Sequence, residues 1–367
     1  MKKIIKAILK LLYIFPIKEK RIFFMSFNGT AIGFDSKAFA EWLNENGKKF
    51  EMIWGISSNK NKNNMYLPNT KLIKIKSIKG IYYLMTSKIL FYNINPPTYI
   101  PYRKKQILIN TWHGFPYKKV GKYTDSYSEE RFNLATCFIS HAQKYTETVL
   151  KDSFNFKGDI LDCGAPRNDV FFNTSKMKEK EKIIRQKYNL LQEERIILYA
   201  PTFRKDFEQA HVEINFKELR EKLQEKFHWK KCRVLCRFHP MISNIQKVND
   251  PEILDVSDYP DMQDLLCAAD ILISDYSSAM WDFSLTQKLV IMYAPDIYEY
   301  QNDRGLYVEL SELPFLLVTN KKNLIDSILK LNMKDYDEKL KKYMECMGNY
   351  EVGNSCERIY KYIMDKT

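Results

Sequence analysis

From Arg21 onward the chain repeats one grammar, in which short apolar runs rich in β-branched and aromatic residues alternate with stretches at helical spacing. Such alternation closes into a parallel sheet with helices on both faces. Strands are expected at 21–26, 51–56, 71–75, 89–93, 106–111, 137–140 and 159–163, with helices at 36–46, 78–87 and 141–151. A charged helical stretch, 175–192, separates these from a second set of strands at 195–200, 233–238, 253–256, 270–273 and 289–293. From 321 the chain is helical, with a break at Gly353, Asn354 and Ser355 before a last helix, 356–365. The fold class expected is α/β, two doubly wound domains at 21–185 and 186–350, preceded by a segment 1–20 and followed by a C-terminal helix, 351–367. A chain of 367 residues is long enough to bury two cores. Ligands of such sheets bind at the carboxyl ends of the strands, in this arrangement a cleft between the two domains.

Apolar residues at 45% and charged residues at 28% exclude extensive disorder. The net charge of +13, from 58 basic against 45 acidic residues, calls for an anionic partner. Aromatic residues spread through the strands, instead of interleaving with a basic stripe, argue against nucleic acid. Seven cysteines, an odd number mostly in apolar segments, read as core thiols of a reducing compartment; Cys232 and Cys236 lack a second pair at zinc-ligand spacing.

In residues 1–16, Ile4, Ile8, Leu11, Leu12 and Phe15 recur at helical spacing while Lys3, Lys6 and Lys10 lie on another side. The segment is too short and too interrupted by lysine to span a bilayer, and no small-residue cleavage site follows it. It reads as an amphipathic helix lying on an anionic membrane surface. The plainer alternative is a helix packed on the protein's own surface.

Three clusters fall at strand ends. His113 stands just past the strand 106–111, beside Gly114 and before Pro116, with Lys118 and Lys119 following. A histidine is suited to take a hydroxyl proton near neutral pH, since its unperturbed pKa is about 6.5. Arg237 and His239 share one side of an extended segment ending at Pro240, where they could hold a phosphate. Ser274, Asp275, Tyr276, Ser277 and Ser278 follow the strand 270–273 with helix-start chemistry, which offers backbone N–H groups and hydroxyls to an anion. An ordinary capped helix or turn is the bland reading of each. Thr202 and Arg204 end the strand 195–200, and the turn from Gly164 to Asp169 carries Arg167. Five basic or hydroxylic strand ends suggest a pocket for a polyanion such as a pyrophosphate. There is no Walker loop, no Gly-x-Gly-x-x-Gly, no His-Glu-x-x-His and no Gly-x-Ser-x-Gly. His141, His211 and His228 receive no role.

Taken in order, the motifs Trp112-His113-Gly114-Phe115-Pro116, Gly164 to Asp169, Ala200 to Arg204, Phe238-His239-Pro240, Ser274 to Ser278 and Arg304-Gly305 resemble the CDP-glycerol:poly(glycerophosphate) glycerophosphotransferase family of teichoic acid and capsule synthesis. Ser26 to Gly29 also matches, so the resemblance runs from about residue 21 to the last helix. It implies a GT-B architecture, two Rossmann-like domains facing across a cleft, with an amphipathic N-terminus at the cytoplasmic face of the membrane. It further implies transfer of a polyol phosphate, glycerol phosphate first, from a CDP-linked donor to a hydroxyl of a lipid-linked saccharide or growing polymer, with release of CMP and no metal or cofactor. Carried across by motif, His113 is the general base. His239 and Arg237 bind the donor pyrophosphate, Ser274, Asp275, Ser277 and Ser278 line the donor site, and Thr202, Arg204, Arg304 and Lys118 are further donor-site contributors.

Two departures accompany the resemblance. Phe115 stands where the family commonly has threonine, which bears on the polyol, and the extra N-terminal region of the long polymerases is absent. A CDP-ribitol donor, a GT-B glycosyltransferase using a nucleotide sugar, and a basic peripheral membrane protein that binds anionic polymer without turnover are the competing readings.

Overall fold

The computed structural model describes residues 2–58, 68–125, 127–202, 214–238, 252–297 and 305–367. The chain divides into two compact units: one made of 1–113, 120–169 and 348–367, the other of 114–119 and 170–347.

In the first unit seven strands form one sheet: β1 (Lys18–Met25), β2 (Glu51–Ile56), β3 (Thr70–Lys74), β4 (Ser87–Tyr92), β5 (Ile107–Asn110), β6 (Cys137–Ser140) and β7 (Asp159–Asp162). Their order is β3-β2-β1-β4-β5-β6-β7, every pair parallel. The second unit repeats the plan with β8 (Arg195–Ala200), β9 (Cys232–Cys236), β10 (Ile253–Asp255), β11 (Ile271–Ser274), β12 (Leu289–Tyr293) and β13 (Leu316–Val318), in the order β10-β9-β8-β11-β12-β13, again all parallel. β4, β5, β6, β11 and β12 are buried along their whole length. Helices cover both faces of such strands, which explains why they read as unbroken apolar runs without alternation. In each sheet the strand order reverses once, between β1 and β4 and between β8 and β11. Those reversals are the switch points at which doubly wound sheets bind ligands.

Two boundaries differ from the sequence expectation. The helix Thr174–Lys187, which was to end the first domain at 185, belongs to the second unit. Asn173 caps it, and Lys180 pairs with Asp264 of the helix Met262–Ala268 at 3.3 Å. The C-terminal helix, Ser355–Lys366, belongs to the first unit and not to a separate element. Asp169 accepts hydrogen bonds from the N–H groups of Ser355 and Cys356 at 2.9 Å each, and Ile359 and Ile363 are buried in the core of that unit. These carbonyl-free first-turn donors would otherwise be orphans.

The leading segment forms a helix, Lys2–Leu9, and a tighter turn, Lys10–Ile14. Leu9 and Leu12 pack on the core, and Arg103 donates to the carbonyls of Leu12 and Phe15 at 2.6 and 2.8 Å. Ile4, Ile8, Leu11 and Ile14 remain exposed. No helix among the described residues is long and apolar enough to cross a membrane. Six of the seven cysteines are buried free thiols, and Cys346 is exposed.

Candidate active site

At the first switch point the backbone itself is unusual. Phe27, Asn28 and Gly29, directly after β1, are left-handed, as is Trp112 after β5, with φ of 45°, 52°, 82° and 56°. A bulky residue is strained there and persists only where its surroundings hold it. Trp112 is so held: its N–H donates to the side chain of Asn110 at 2.9 Å, and its ring meets Phe154 at 4.8 Å. The reversal sets His113 at the carboxyl end of the sheet, with Nδ1 3.2 Å from the carbonyl oxygen of Asn93, the residue after β4. Phe27 packs against the imidazole with ring centroids 5.7 Å apart.

Burial pushes the His113 pKa below its ordinary value of 6.5, and the positive charge of Arg167 acts in the same sense. The Asn93 carbonyl and Asp35 oppose the shift without reversing it. Burial thus favours the neutral form of the ring. With the proton on Nδ1 and donated to Asn93, Nε2 carries the lone pair, the state a general base needs.

Arg167 and Asp35 are themselves buried as a pair, the guanidinium at 2.8 Å and the Arg167 N–H at 3.1 Å from the carboxylate. The rest of the turn from Gly164 to Asp169 is structural too. Ala165 N–H and the Asn168 amide donate to Glu351 at 3.0 and 3.1 Å, and Glu351 also meets His141 Nδ1 at 3.0 Å, both side chains fully enclosed. His141, given no role from sequence, thus helps tie the C-terminal segment to that turn. Burial raises the Glu351 pKa, against the pull of His141.

The second unit holds its switch point together differently. Ser274 donates to the Ala200 carbonyl at 2.6 Å, and Asp275 accepts the N–H of Thr202 at 2.9 Å and of Tyr276 at 2.8 Å. Both side chains are buried and join the ends of β8 and β11. Ser277 and Ser278 are half-buried. The helix they precede, Ala279–Ser284, has six residues; Ser278 makes no cap bond to it, Ser277 Oγ accepts the Ala279 N–H at 3.2 Å, and so short a helix has a slight dipole.

Gly114, with φ of 143°, lies against Ser278: a Cβ there would stand 2.2 Å from its Oγ. Phe115 is buried and stacks on Trp281 with centroids 4.4 Å apart and planes 15° apart. The departure from threonine is thus taken up by packing within the second unit. Tyr117, Lys118 and Lys119 pair antiparallel with the chain after 304, through Lys119 N–H to Gly305 O at 2.8 Å and Tyr307 N–H to Tyr117 O at 3.0 Å.

Arg237 follows β9. Its N–H donates to Tyr199 O at 2.8 Å, and its guanidinium donates to Met262 Sδ at 3.1 Å. Burial lowers its pKa, with Asp261 and two tyrosines acting oppositely, and no carboxylate among the described residues lies within ion-pair distance of it. A cation in that condition is suited to an incoming anion. His239, Arg204 and Arg304 lie outside the described residues.

Sequence reasoning missed Asn93, Asp35 and Glu351. Their partners are 20, 132 and 210 positions away along the chain, beyond what spacing can reveal.

Two Rossmann-like units, each a parallel sheet whose strand order reverses once, make a GT-B transferase fold. The family model for CDP-glycerol:poly(glycerophosphate) glycerophosphotransferase matches residues 7–365, and the chain belongs to that family. It is 26% identical over 388 residues to the teichoic acid poly(glycerol phosphate) polymerase of Bacillus spizizenii, covering 99% of this chain and 96% of that protein. It is 28% identical over 380 residues to the teichoic acid glycerol-phosphate transferase of Staphylococcus aureus, covering 96% and 95%. The solved structure of the wall teichoic acid polymerase TagF superposes with a TM-score of 0.86 at 25% identity, over 99% of this chain and 93% of that one. The protein is a glycerophosphotransferase of teichoic acid synthesis.

Proposed function

We propose that the chain transfers glycerol phosphate from CDP-glycerol to a hydroxyl of a lipid-linked saccharide or growing teichoic acid chain. His113 Nε2 takes the proton of that hydroxyl as its oxygen attacks the glycerol-bearing phosphorus. The bond from that phosphorus to the bridging oxygen of CMP breaks, and CMP leaves with the electron pair. Such a transfer is catalysed mainly by positioning and charge stabilisation. Arg237 and His239 hold the pyrophosphate and the charge that develops on it, with Ser277, Ser278, Arg204, Arg304 and Lys118 as further donor contacts. Ser274, Asp275 and Thr202 act in this site by shaping the loop ends. The reading is carried by the placement of His113, buried at the carboxyl end of the first sheet with Nδ1 3.2 Å from the Asn93 carbonyl.

Glycerol is favoured over ribitol because both whole-length relatives are named for glycerol phosphate, and Phe115 is occupied in packing on Trp281. The test is CMP release from CDP-glycerol and CDP-ribitol with a lipid-linked disaccharide acceptor, the product read by mass. Release of a nucleoside diphosphate, or of CMP without acceptor-linked phosphate, sinks the proposal.

The protein works at the cytoplasmic face of the membrane through its leading helix. Ile4, Ile8, Leu11 and Ile14 are exposed beside Lys3 and Lys10, while the segment's end is pinned by Arg103. An apolar stripe with flanking lysines suits an anionic leaflet. Replacing Ile8 and Leu11 by aspartate is expected to abolish sedimentation with anionic liposomes and leave turnover of a soluble acceptor intact; unchanged sedimentation would refute it.

A further inference from the structure

We infer that Asn93 is a positioning residue that sets both the tautomer and the orientation of His113. The inference rests on the reading of His113 as the base and adds what makes it one. Asn93 is fully buried where β4 ends, at the point where the strand order reverses. It bears on the imidazole in two ways, directly through its backbone carbonyl and indirectly through Phe27. Its carbonyl oxygen lies 3.2 Å from Nδ1, which keeps the proton on that nitrogen and leaves Nε2 free. Its side-chain Oδ1 accepts the Phe27 N–H at 2.8 Å and so holds the left-handed turn whose aromatic ring packs on the imidazole. Among the described residues its amide nitrogen has no hydrogen-bond partner. A buried orphan donor is destabilising, a cost that an apolar residue of this size would avoid. Packing alone does not account for an asparagine here, whereas the Phe27 bond requires an acceptor on this side chain.

The variants Asn93→Asp and Asn93→Ala separate positioning from mere stability. Aspartate keeps the acceptor for Phe27 and brings a carboxylate near the ring, so the His113 pKa is expected to rise by about one unit. Alanine removes the acceptor, and kcat is expected to fall about tenfold with the KM for CDP-glycerol unchanged, because the base is misplaced while the donor site is intact. Two readouts are taken on the full-length protein: the pH dependence of kcat/KM, and the titration of the His113 ring by NMR, assigned with His113→Gln. The inference predicts that both move upward together in Asn93→Asp. If the NMR titration stays where it is in both variants and only melting temperature changes, the inference is overturned. If the NMR titration moves and the rate profile does not, Asn93 positions the ring but His113 is not the base, and the proposed mechanism fails instead.

Discussion

The two switch points share one topology and treat polar groups in opposite ways. In the first unit the rings of Phe27 and Trp112 and the Asn93 carbonyl pack on His113, and burial lowers its pKa, which favours an uncharged ring at the carboxyl end of the sheet. In the second, Ser274 and Asp275 bond inside the protein to Ala200 and Thr202, and among the described residues the Arg237 guanidinium has a sulfur as its partner. On the proposed reading the first removes a proton and the second receives an anion. A doubly wound sheet supplies only the location. The chemistry follows from which side chains the loop consumes and which it leaves over.

Removing the leftover groups is the sharpest way to break this contrast. His113→Ala is expected to lower acceptor-dependent CMP release by about 10²–10⁴-fold, the usual contribution of a positioned acid or base. Arg237→Ala is expected to raise the KM for CDP-glycerol by about 10–10²-fold, the loss of a charge-assisted hydrogen bond of about 1.5–3 kcal/mol. Lysine should not restore it, since the planar fork is lost. Steady-state kinetics on each variant decides both. A smaller effect is expected at Gly114→Ala, where the added methyl meets the Ser278 hydroxyl and φ is unfavourable for an L-residue. Its melting temperature and kcat should both fall, and Ser278→Gly should recover part of the loss. The smallest is Ser274→Ala, which removes one buried hydrogen bond: about 1 kcal/mol of stability by denaturant titration, with kcat within about twofold of wild type. A collapse of kcat in Ser274→Ala at unchanged stability would move that hydroxyl from the loop to the ligand.

The pH dependence sharpens the same contrast. His113 has a folded pKa below its unfolded value near 6.5, so the unfolded chain binds the extra proton first, and this group's contribution to stability declines as pH falls through that window. The acid limb of kcat/KM should accordingly lie below about pH 6.5. A limb above that value would show the ring to be stabilised as the cation.

Most of the fold was legible because parallel strands buried on both faces cannot be mistaken for solvated ones. Twelve expected strands map onto β1 to β12 within three residues at each end, and β2, β6, β8 and β12 coincide with their expected bounds. β13 (Leu316–Val318) escaped notice because three residues after Pro314 and Phe315 give no period to read. The site was legible only as a list of polar strand ends. The sequence could not show that Asp169 caps the helix at Ser355, that Arg167 is neutralised by Asp35, or that Ser274 and Asp275 face inward, since each depends on a partner distant in the chain. The helix start at Ser278 was read from its hydroxyls: Ser277 Oγ does accept the Ala279 N–H at 3.2 Å, but Ser274 turns to Ala200 and the helix stops after six residues.

The division of labour is tested most directly by calorimetric measurement of CDP-glycerol affinity for His113→Ala and Arg237→Ala side by side. The expected result is a dissociation constant for His113→Ala within about twofold of wild type, beside one for Arg237→Ala weakened by about tenfold or more. If His113→Ala loses donor affinity as Arg237→Ala does, the histidine holds the donor, and the separation of base from anion site is wrong.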